Sequence, residues 1–215
     1  YSIEPGQGVK LGLDFKPQLL IDNSHQDTKK KITTQFSWQK LELTGIKLDK
    51  AGYDHFMLKE IHEQSSVLAK VTQQPAVKLS TLSTALNQAR RIYVVGAGSA
   101  SYAAGQLAFW LRELGFLALL VPAYEAESYR ELYGDQDLAI TISQSGETAD
   151  TIQAVEEIQA AGVKLATLIN MPGSTLSAMA DLPFMLQVGP EVGVASTKAL
   201  TGQLIWSWLV VARER

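Results

Sequence analysis

Two short segments combine small residues with hydroxyl side chains in the pattern of an anion-binding loop. The segment Gly96–Ser101 reads GAGSAS, and the segment Ser143–Thr148 reads SQSGET. Small residues let backbone N–H groups approach a bound anion, and hydroxyl and amide groups donate hydrogen bonds to it. Each hydrogen bond to a charged group is worth roughly 1.5–3 kcal/mol. Such neutral donors suit a small phosphate ester that binds and leaves repeatedly, without a lysine in either loop.

Each segment also has a structural explanation that needs no ligand. A tight strand-to-helix turn explains Gly96–Ser101 equally well, because Gly fits such turns and Ser caps helices. A dinucleotide fingerprint fits less well, since Ser101 stands at the third glycine position and no acidic residue follows the second apolar run at Pro122. For Ser143–Thr148 the alternative is a helix cap with Glu147 as a capping-box acid. The density of hydroxyl groups there favours anion binding over capping alone.

A third segment, Glu191–Lys198, reads EVGVASTK and precedes the last apolar stretch of the sequence. Ser196 or Thr197 can cap a helix that begins there. Capping does not explain why an acid, a glycine and a lysine accompany the two hydroxyl residues. From the residues alone, ligand binding and packing are equally consistent with this segment.

The chain from Arg91 onward alternates apolar runs with helical patterns, which predicts the sheet that positions these loops. The predicted strands are Ile92–Val95, Phe116–Val121, Leu138–Ile142, Leu165–Ile169 and Leu182–Val188. The predicted helices between and after them are Ala100–Leu114, Glu125–Leu132, Thr148–Ala161, Ser174–Ala180 and Ser196–Ala212. Wholly apolar strands alternating with helices predict a five-stranded, doubly wound parallel sheet covered on both faces, an α/β fold. Ligands of such sheets bind beyond the carboxyl ends of the strands, where these loops lie.

The sequence before this region divides into an irregular segment and two helices. Residues 1–50 are punctuated by Gly and Pro, with a weakly alternating stretch at Ile32–Trp38, which predicts a hairpin and a linker. Apolar residues at helical spacing between Phe56 and Val71 predict an amphipathic helix, and Leu79–Ala89 predicts a second one. We therefore expect a domain over residues 51–215 and a separate segment over residues 1–50.

Composition excludes several classes of function. A net charge of −3 leaves no basic stripe for nucleic acid, and the absence of Cys excludes disulfides and thiolate chemistry. The apolar run Leu204–Ala212 is shorter than the roughly 18 residues of a membrane span. Tyr1–Lys10 has no signal-peptide pattern, so we expect a cytoplasmic protein without a membrane partner. His55 and His62 lack further ligands at metal-binding spacing, and we expect neither a metal nor an organic cofactor.

Three longer strings carry a family resemblance. The strings TISQSGETAD at 141–150 and EVGVASTKALTGQL at 191–204 closely resemble the sugar isomerase (SIS) domain of glucosamine-6-phosphate synthases, the glutamine–fructose-6-phosphate aminotransferases. The helix opening at Tyr53–Gln64 is similar to the segment that starts the isomerase half of the same enzymes. The resemblance covers roughly residues 50–215. It implies that residues 1–50 are the tail of a glutaminase-like domain and its linker, and that the sheet has a flavodoxin-like strand order.

The resemblance also implies the roles of individual residues. Four of them, Ser143, Gln144, Ser145 and Thr148, would hold the phosphate of fructose 6-phosphate or glucosamine 6-phosphate. Ser99 would contact the sugar or the phosphate, and the backbone of Val194 and the hydroxyl of Ser196 would contact the sugar. The family usually has Cys-Gly-Thr-Ser where this sequence has Ala97–Ala100, so the hydroxyl that normally caps the phosphate is absent at Ala100. We expect Ser101 to replace it only after a small shift.

The complete enzymes of the family have parts that this sequence does not match. Their glutaminase domain and second SIS subdomain are expected partners, and the catalytic glutamate, histidine and carboxyl-terminal lysine belong to the second subdomain or its tail. By resemblance we expect a homodimer and no catalytic residue that can be assigned here. The alternatives are a non-catalytic phosphosugar-binding module and a smaller sugar-phosphate isomerase. The latter needs its own acid and base, for which Glu147, Glu191 and His55 are candidates.

Overall fold

The computed structural model describes residues 7–11, 17–21 and 49–215 of the chain. The chain divides into two compact units, residues 1–44 and residues 45–215. In the first unit, strand β1 (Gln7–Leu11) pairs antiparallel with strand β2 (Pro17–Ile21), as the predicted hairpin requires. The predicted strand at Ile32–Trp38 lies outside the described residues.

The second unit opens with two helices and then alternates strands with helices, as the sequence predicts. The opening helices are α1 (Phe56–Val71) and α2 (Ala76–Gln88). The alternating elements are β3 (Ile92–Gly96), α3 (Ser99–Glu113), β4 (Ala118–Pro122), a 3₁₀ segment (Ala123–Leu132), β5 (Leu138–Ser143), α4 (Ala149–Ala160), β6 (Lys164–Ile169), α5 (Thr175–Met179), β7 (Leu182–Met185) and α6 (Lys198–Glu214).

The five strands β3–β7 form one parallel sheet in the order β4-β3-β5-β6-β7. Numbered along the chain, this order is 2-1-3-4-5, the flavodoxin-like order, so the predicted fold class is confirmed. The chain leaves β3 for β4 on one side and returns to β5 on the other. Gly96, at the end of β3, aligns with Ile142, near the end of β5. The loops after these two strands therefore begin side by side at the switch point of the sheet.

Helices cover both faces of the sheet, which explains why its strands are apolar throughout. Ile92 and Val94 of β3 pack in a core with α1, α2, α3 and α6, whereas Tyr93 and Val95 pack in a core with the 3₁₀ segment and α4. The last helix is anchored by Trp206, which is fully buried and packs edge to face on Phe184 at a ring distance of 5.2 Å. Burial of α6 against the sheet follows from its apolar sequence.

One predicted helix has a different geometry. The chain from Ala123 to Leu132 forms a 3₁₀ helix rather than the predicted α-helix at Glu125–Leu132. Ala123, Ala126 and Tyr129 recur every third residue, and a helix with three residues per turn places all of them on the face that meets the core. Among the helices in the described part of the chain, none combines the length and apolar content needed to span a bilayer.

Candidate functional site

A cleft of about 210 Å³ lies beyond the carboxyl ends of β3 and β5. This volume is below the roughly 300–1,000 Å³ of pockets for drug-sized molecules, and it suits a smaller ligand. All seven residues that the sequence predicts to bind ligand line the cleft, namely Ser99, Ser143, Gln144, Ser145, Thr148, Val194 and Ser196. The fold thus brings together three loops that are up to about a hundred residues apart in the chain.

The loop after β5 presents hydroxyl groups that can still donate hydrogen bonds. Ser143 Oγ accepts from the Gly146 N–H at 3.0 Å, and Ser145 Oγ accepts from the Glu147 N–H at 3.1 Å. Because each hydroxyl acts as an acceptor in these contacts, its own hydrogen remains available to a ligand. Thr148 is the N-cap residue of α4, yet its side chain makes no capping hydrogen bond. The loop therefore places three hydroxyl groups at a helix N-terminus, where the helix dipole favours an anion.

Gly146 and Glu147 fix the shape of this loop. Gly146 has φ +70°, and a Cβ atom at this position would lie 2.6 Å from Cβ of Ser174. The Glu147 carboxylate accepts hydrogen bonds from the backbone N–H and the hydroxyl of Thr175, both at 2.8 Å. Glu147 thus caps α5 rather than acting as a capping-box residue of α4, and it ties the loop to the neighbouring β6–α5 connection.

The loop after β3 places Ser99 and Ala100, at the start of α3, against the cleft. Ser101 does not line the cleft, and its hydroxyl donates to the carbonyl of Gly98 at 2.7 Å. Within this structure, Ser101 does not supply the hydroxyl that is missing at Ala100.

Glu191, rather than Ser196 or Thr197, caps the last helix. Its carboxylate accepts hydrogen bonds from the Ser196 hydroxyl at 3.0 Å, the Thr197 N–H at 2.8 Å and the Ala199 N–H at 3.1 Å. Thr197 occupies the N-cap position of α6 without a side-chain capping hydrogen bond of its own. The acid therefore holds Ser196 beside the cleft while it satisfies the first turn of the helix.

A second carboxylate holds the other side of the same segment. Glu60 of α1 is buried and accepts hydrogen bonds from the N–H groups of Val192, at 2.6 Å, and Gly193, at 3.1 Å. A Cβ atom at position 193 would lie 2.6 Å from Glu60 Oε2, so a side chain there would require the Glu60 carboxylate to shift. The amphipathic pattern of α1 places charges on its solvent face and does not distinguish Glu60 from its neighbours.

The lysine of this segment, Lys198, pairs with a glutamate of α1. Lys198 is buried, and its ammonium lies 2.7 Å from Glu63 Oε2. Partial burial acts to raise the pKa of Glu63, but the hydrogen bond and positive charge of Lys198, together with Lys59, outweigh it and leave that pKa lowered. The acid, glycine and lysine of Glu191–Lys198 thus position the segment, while Val194 and Ser196 face the cleft.

No ionisable side chain lines the cleft within the part of the chain that the structure describes. The three candidate acid–base residues, Glu147, Glu191 and His55, all lie outside its lining. Two polar lining residues that the sequence did not single out are Thr151 and Gln203, and both are buried. The cleft is therefore a neutral, hydrogen-bonding site, suited to gripping an anion and a polyol rather than to transferring protons.

Fold and site together define a doubly wound α/β domain with a neutral, hydrogen-bonding cleft at the switch point of its sheet. A family model described as SIS domain matches residues 85–213, and the chain belongs to this family. It is 46% identical over 158 residues to a glutamine–fructose-6-phosphate aminotransferase (isomerizing) from Pyrobaculum aerophilum. That match covers 73% of this chain and 26% of the relative, so the chain spans about a quarter of that relative's length.

Solved structures show the same relationship. The C-terminal domain of glucosamine-fructose-6-phosphate aminotransferase from Francisella tularensis superposes with a TM-score of 0.68 at 29% identity. The match covers 77% of this chain and 50% of that one. The Vibrio vulnificus NanR protein complexed with ManNAc-6P shares the fold, with a TM-score of 0.65 at 19% identity, over 76% of this chain and 63% of that one.

Proposed function

We propose that this chain is the sugar-phosphate-binding SIS subdomain of a glutamine-dependent fructose-6-phosphate aminotransferase, with fructose 6-phosphate or glucosamine 6-phosphate as ligand. The observation that carries the proposal is the meeting of the three loops in one neutral cleft at the N-terminus of α4. The names of the similar enzymes support the substrate class.

In this proposal the ligand's two parts meet different loops. Ser143, Gln144, Ser145 and Thr148 bind the phosphate, because their donors converge at the positive end of α4. Ser99 contacts sugar or phosphate from the opposite loop. Backbone at Val194 and the hydroxyl of Ser196 contact the sugar, since Glu60 and Glu191 hold that segment beside the cleft.

The partners follow from the similarity to the larger enzymes. The neutral cleft would grip the substrate while a second SIS subdomain supplies the acid–base groups and a glutaminase domain supplies ammonia. Residues 1–50 would be the tail of that glutaminase domain and its linker. We further propose a cytoplasmic homodimer that works without a metal or an organic cofactor.

A non-catalytic phosphosugar-binding module is the second candidate, and one observation favours it. The lining of the cleft, among the described residues, offers no group that titrates near neutral pH. The two candidates share ligand binding and differ in whether the chain, mixed with second-subdomain protein and ammonia, converts fructose 6-phosphate to glucosamine 6-phosphate. Turnover on such addition supports the enzyme, and its absence with intact binding supports the module.

Isothermal titration calorimetry of the 215-residue chain tests the shared claim. We expect fructose 6-phosphate and glucosamine 6-phosphate to bind and unphosphorylated fructose to bind far more weakly, because the phosphate meets most of the donors. Ser145→Ala removes one hydrogen bond to the phosphate and should weaken binding by roughly tenfold or more.

Ser101→Ala is the matched control, since it removes a hydroxyl near the site that does not line the cleft. We expect it to bind both sugar phosphates like the wild type. Equal binding of fructose and its phosphate, or equal losses in the two serine variants, would contradict the proposed phosphate site.

A further inference from the structure

Two buried polar groups in the cleft have no hydrogen-bond partner among the described residues. They are the hydroxyl of Thr151, in the first turn of α4, and the side-chain oxygen of Gln203, in α6. Both residues are about 1% exposed, and both line the cleft. Burying a polar atom without a partner is costly, and most such atoms in folded proteins are paired with protein or water. These two groups therefore point to a partner that enters through the cleft.

The other buried hydroxyl groups without a partner, among the described residues, belong to side chains that do not line the cleft. Thr141 and Thr167 face each other in register on β5 and β6, are fully buried and do not line the cleft. Thr151 and Gln203 differ from them because both residues line the cleft. The position of Gln203 is fixed by Gly202, whose missing side chain lets α6 approach Val188 and Leu186 closely.

The chemistry of the pair indicates what it binds. A carboxamide offers donors and an acceptor, and a threonine hydroxyl can act as either. A phosphate oxygen of a dianion only accepts hydrogen bonds, whereas a sugar hydroxyl or a water molecule both donates and accepts. A partner that does both can satisfy Thr151 and Gln203 together.

We infer that Thr151 and Gln203 form a hydroxyl-binding subsite at the floor of the cleft, occupied by a hydroxyl of the sugar phosphate or by a water molecule that bridges to its phosphate. The inference rests on the proposed function, because it adds two binding residues to the same site. It makes them determinants of ligand affinity and not of the fold.

Near-isosteric apolar variants separate these two roles. Thr151→Val and Gln203→Met approximately keep side-chain size and remove the unpartnered polar groups. We expect each to weaken binding of fructose 6-phosphate by roughly three- to tenfold, the range of one neutral hydrogen bond. In the absence of ligand, we expect each to keep the wild-type Tm or raise it by roughly 2 °C, because an unsatisfied buried group is gone. A purely structural role would not combine weaker binding with undiminished stability.

Thr167→Val is the matched control, since it removes an orphan hydroxyl that does not line the cleft. We expect it to leave affinity unchanged. Inorganic phosphate distinguishes the two occupants. If a sugar hydroxyl fills the subsite, Thr151→Val and Gln203→Met bind inorganic phosphate like the wild type. If a bridging water fills it, both variants lose affinity for inorganic phosphate as well.

The outcomes that overturn the inference are distinct from those that overturn the proposed function. Wild-type affinity in both variants, with Ser145→Ala still impaired, contradicts the hydroxyl subsite alone. A lowered Tm with unchanged affinity does the same and assigns the pair to the fold. Failure of the wild-type chain to bind either sugar phosphate removes the proposed function and the subsite together.

Discussion

The polar groups at the amino ends of strands β3 and β5 are paired differently from those at the carboxyl ends of the same strands. At the amino ends, Arg90 precedes β3 and Asp137 precedes β5, and the guanidinium donates to both carboxylate oxygens at 2.9 Å. The hydrogen bonds that Arg90 donates to Asp137 raise the pKa of Arg90, although the desolvation of its guanidinium acts in the opposite direction. The Asp137 side chain is wholly buried, and the half-exposed Arg90 side chain supplies its charged partner.

At the carboxyl ends of the same strands, the lining of the cleft has no charge, and some of its polar groups have no partner among the described residues. Ser143 and Ser145 accept hydrogen bonds from their own loop and keep a hydrogen to donate. At the amino ends, the charged groups are paired with each other, which stabilises the fold. At the carboxyl ends, several polar groups remain able to hydrogen-bond to a ligand. Substitutions at the two ends should therefore change stability and binding in different proportions.

Gly146→Ala should have the largest effect and should damage both properties at the carboxyl end. The new Cβ would lie 2.6 Å from Cβ of Ser174, and φ +70° disfavours any side chain. We expect a loss of about 3 kcal/mol in the free energy of unfolding and no measurable binding of fructose 6-phosphate. Urea unfolding and calorimetry measure these quantities.

Gly162→Ala is its matched control, because φ is +77° there and the nearest atom to a new Cβ is 3.6 Å away. We expect about 1 kcal/mol of destabilisation from backbone conformation alone, with normal binding. Equal effects of the two variants would show that the contact with Ser174 does not shape the loop.

Asp137→Ala should act on stability only. Removing the buried carboxylate eliminates two hydrogen bonds to a charged group, and we expect about 2 kcal/mol of destabilisation in urea unfolding. The folded variant should bind fructose 6-phosphate like the wild type. Asp135→Ala, at an exposed neighbouring position, should change neither quantity. Loss of binding in Asp137→Ala without loss of stability would contradict the assignment of stability to the amino ends of the strands and of binding to their carboxyl ends.

Glu60→Ala should weaken sugar binding more than phosphate binding. The change leaves the N–H groups of Val192 and Gly193 without their acceptor, which should cost about 1–2 kcal/mol of stability. Because these residues position Val194, we expect a roughly fivefold loss of affinity for fructose 6-phosphate and none for inorganic phosphate. Glu60→Gln, which keeps an acceptor, should lose less.

Glu156→Ala, on the exposed face of α4, is the control for removal of a glutamate from a helix. It should match the wild type in both titrations. Parallel losses for fructose 6-phosphate and inorganic phosphate in Glu60→Ala would contradict a role confined to the sugar side.

The smallest effect should be the pH-dependent contribution of Glu63 to stability. The pKa of Glu63 is lowered in the folded state, so its contribution to stability is present above the pKa of the unfolded chain and is lost as pH falls through the folded value. We expect Glu63→Gln to be less stable than the wild type by under about 1 kcal/mol at pH 7, since Glu63 is partly exposed. Thermal unfolding should show the difference shrinking below pH 5. A difference that grows as pH falls would contradict the Lys198 contact.

The sequence predicted the elements and the three loops because both depend on local patterns. Apolar runs and helical spacing are local, and the switch-point rule then places the loops after β3 and β5 at one edge of the sheet. The 3₁₀ geometry at Ala123–Leu132 was missed because spacing of three also fits part of an α-helical pattern.

The roles of Glu60, Thr151 and Gln203 could not be predicted in this way. Glu60 accepts a hydrogen bond from Val192, which is 132 residues away in the chain. Only the packing of the folded unit decides which glutamate of α1 faces inward. An unpartnered hydroxyl or amide is likewise defined by its surroundings, which are assembled from distant segments. Capping of α6 by Glu191 was missed for a related reason, since hydroxyl residues at the N-cap position are the usual signal.

A crystal structure of the chain with glucosamine 6-phosphate tests the central claim most directly, because it locates both parts of the ligand. We expect the phosphate within hydrogen-bonding distance of Ser143, Ser145 and Thr148 at the N-terminus of α4, with the sugar directed toward Val194 and Ser196. A ligand bound outside this cleft, or one bound with its phosphate away from α4, would contradict the account.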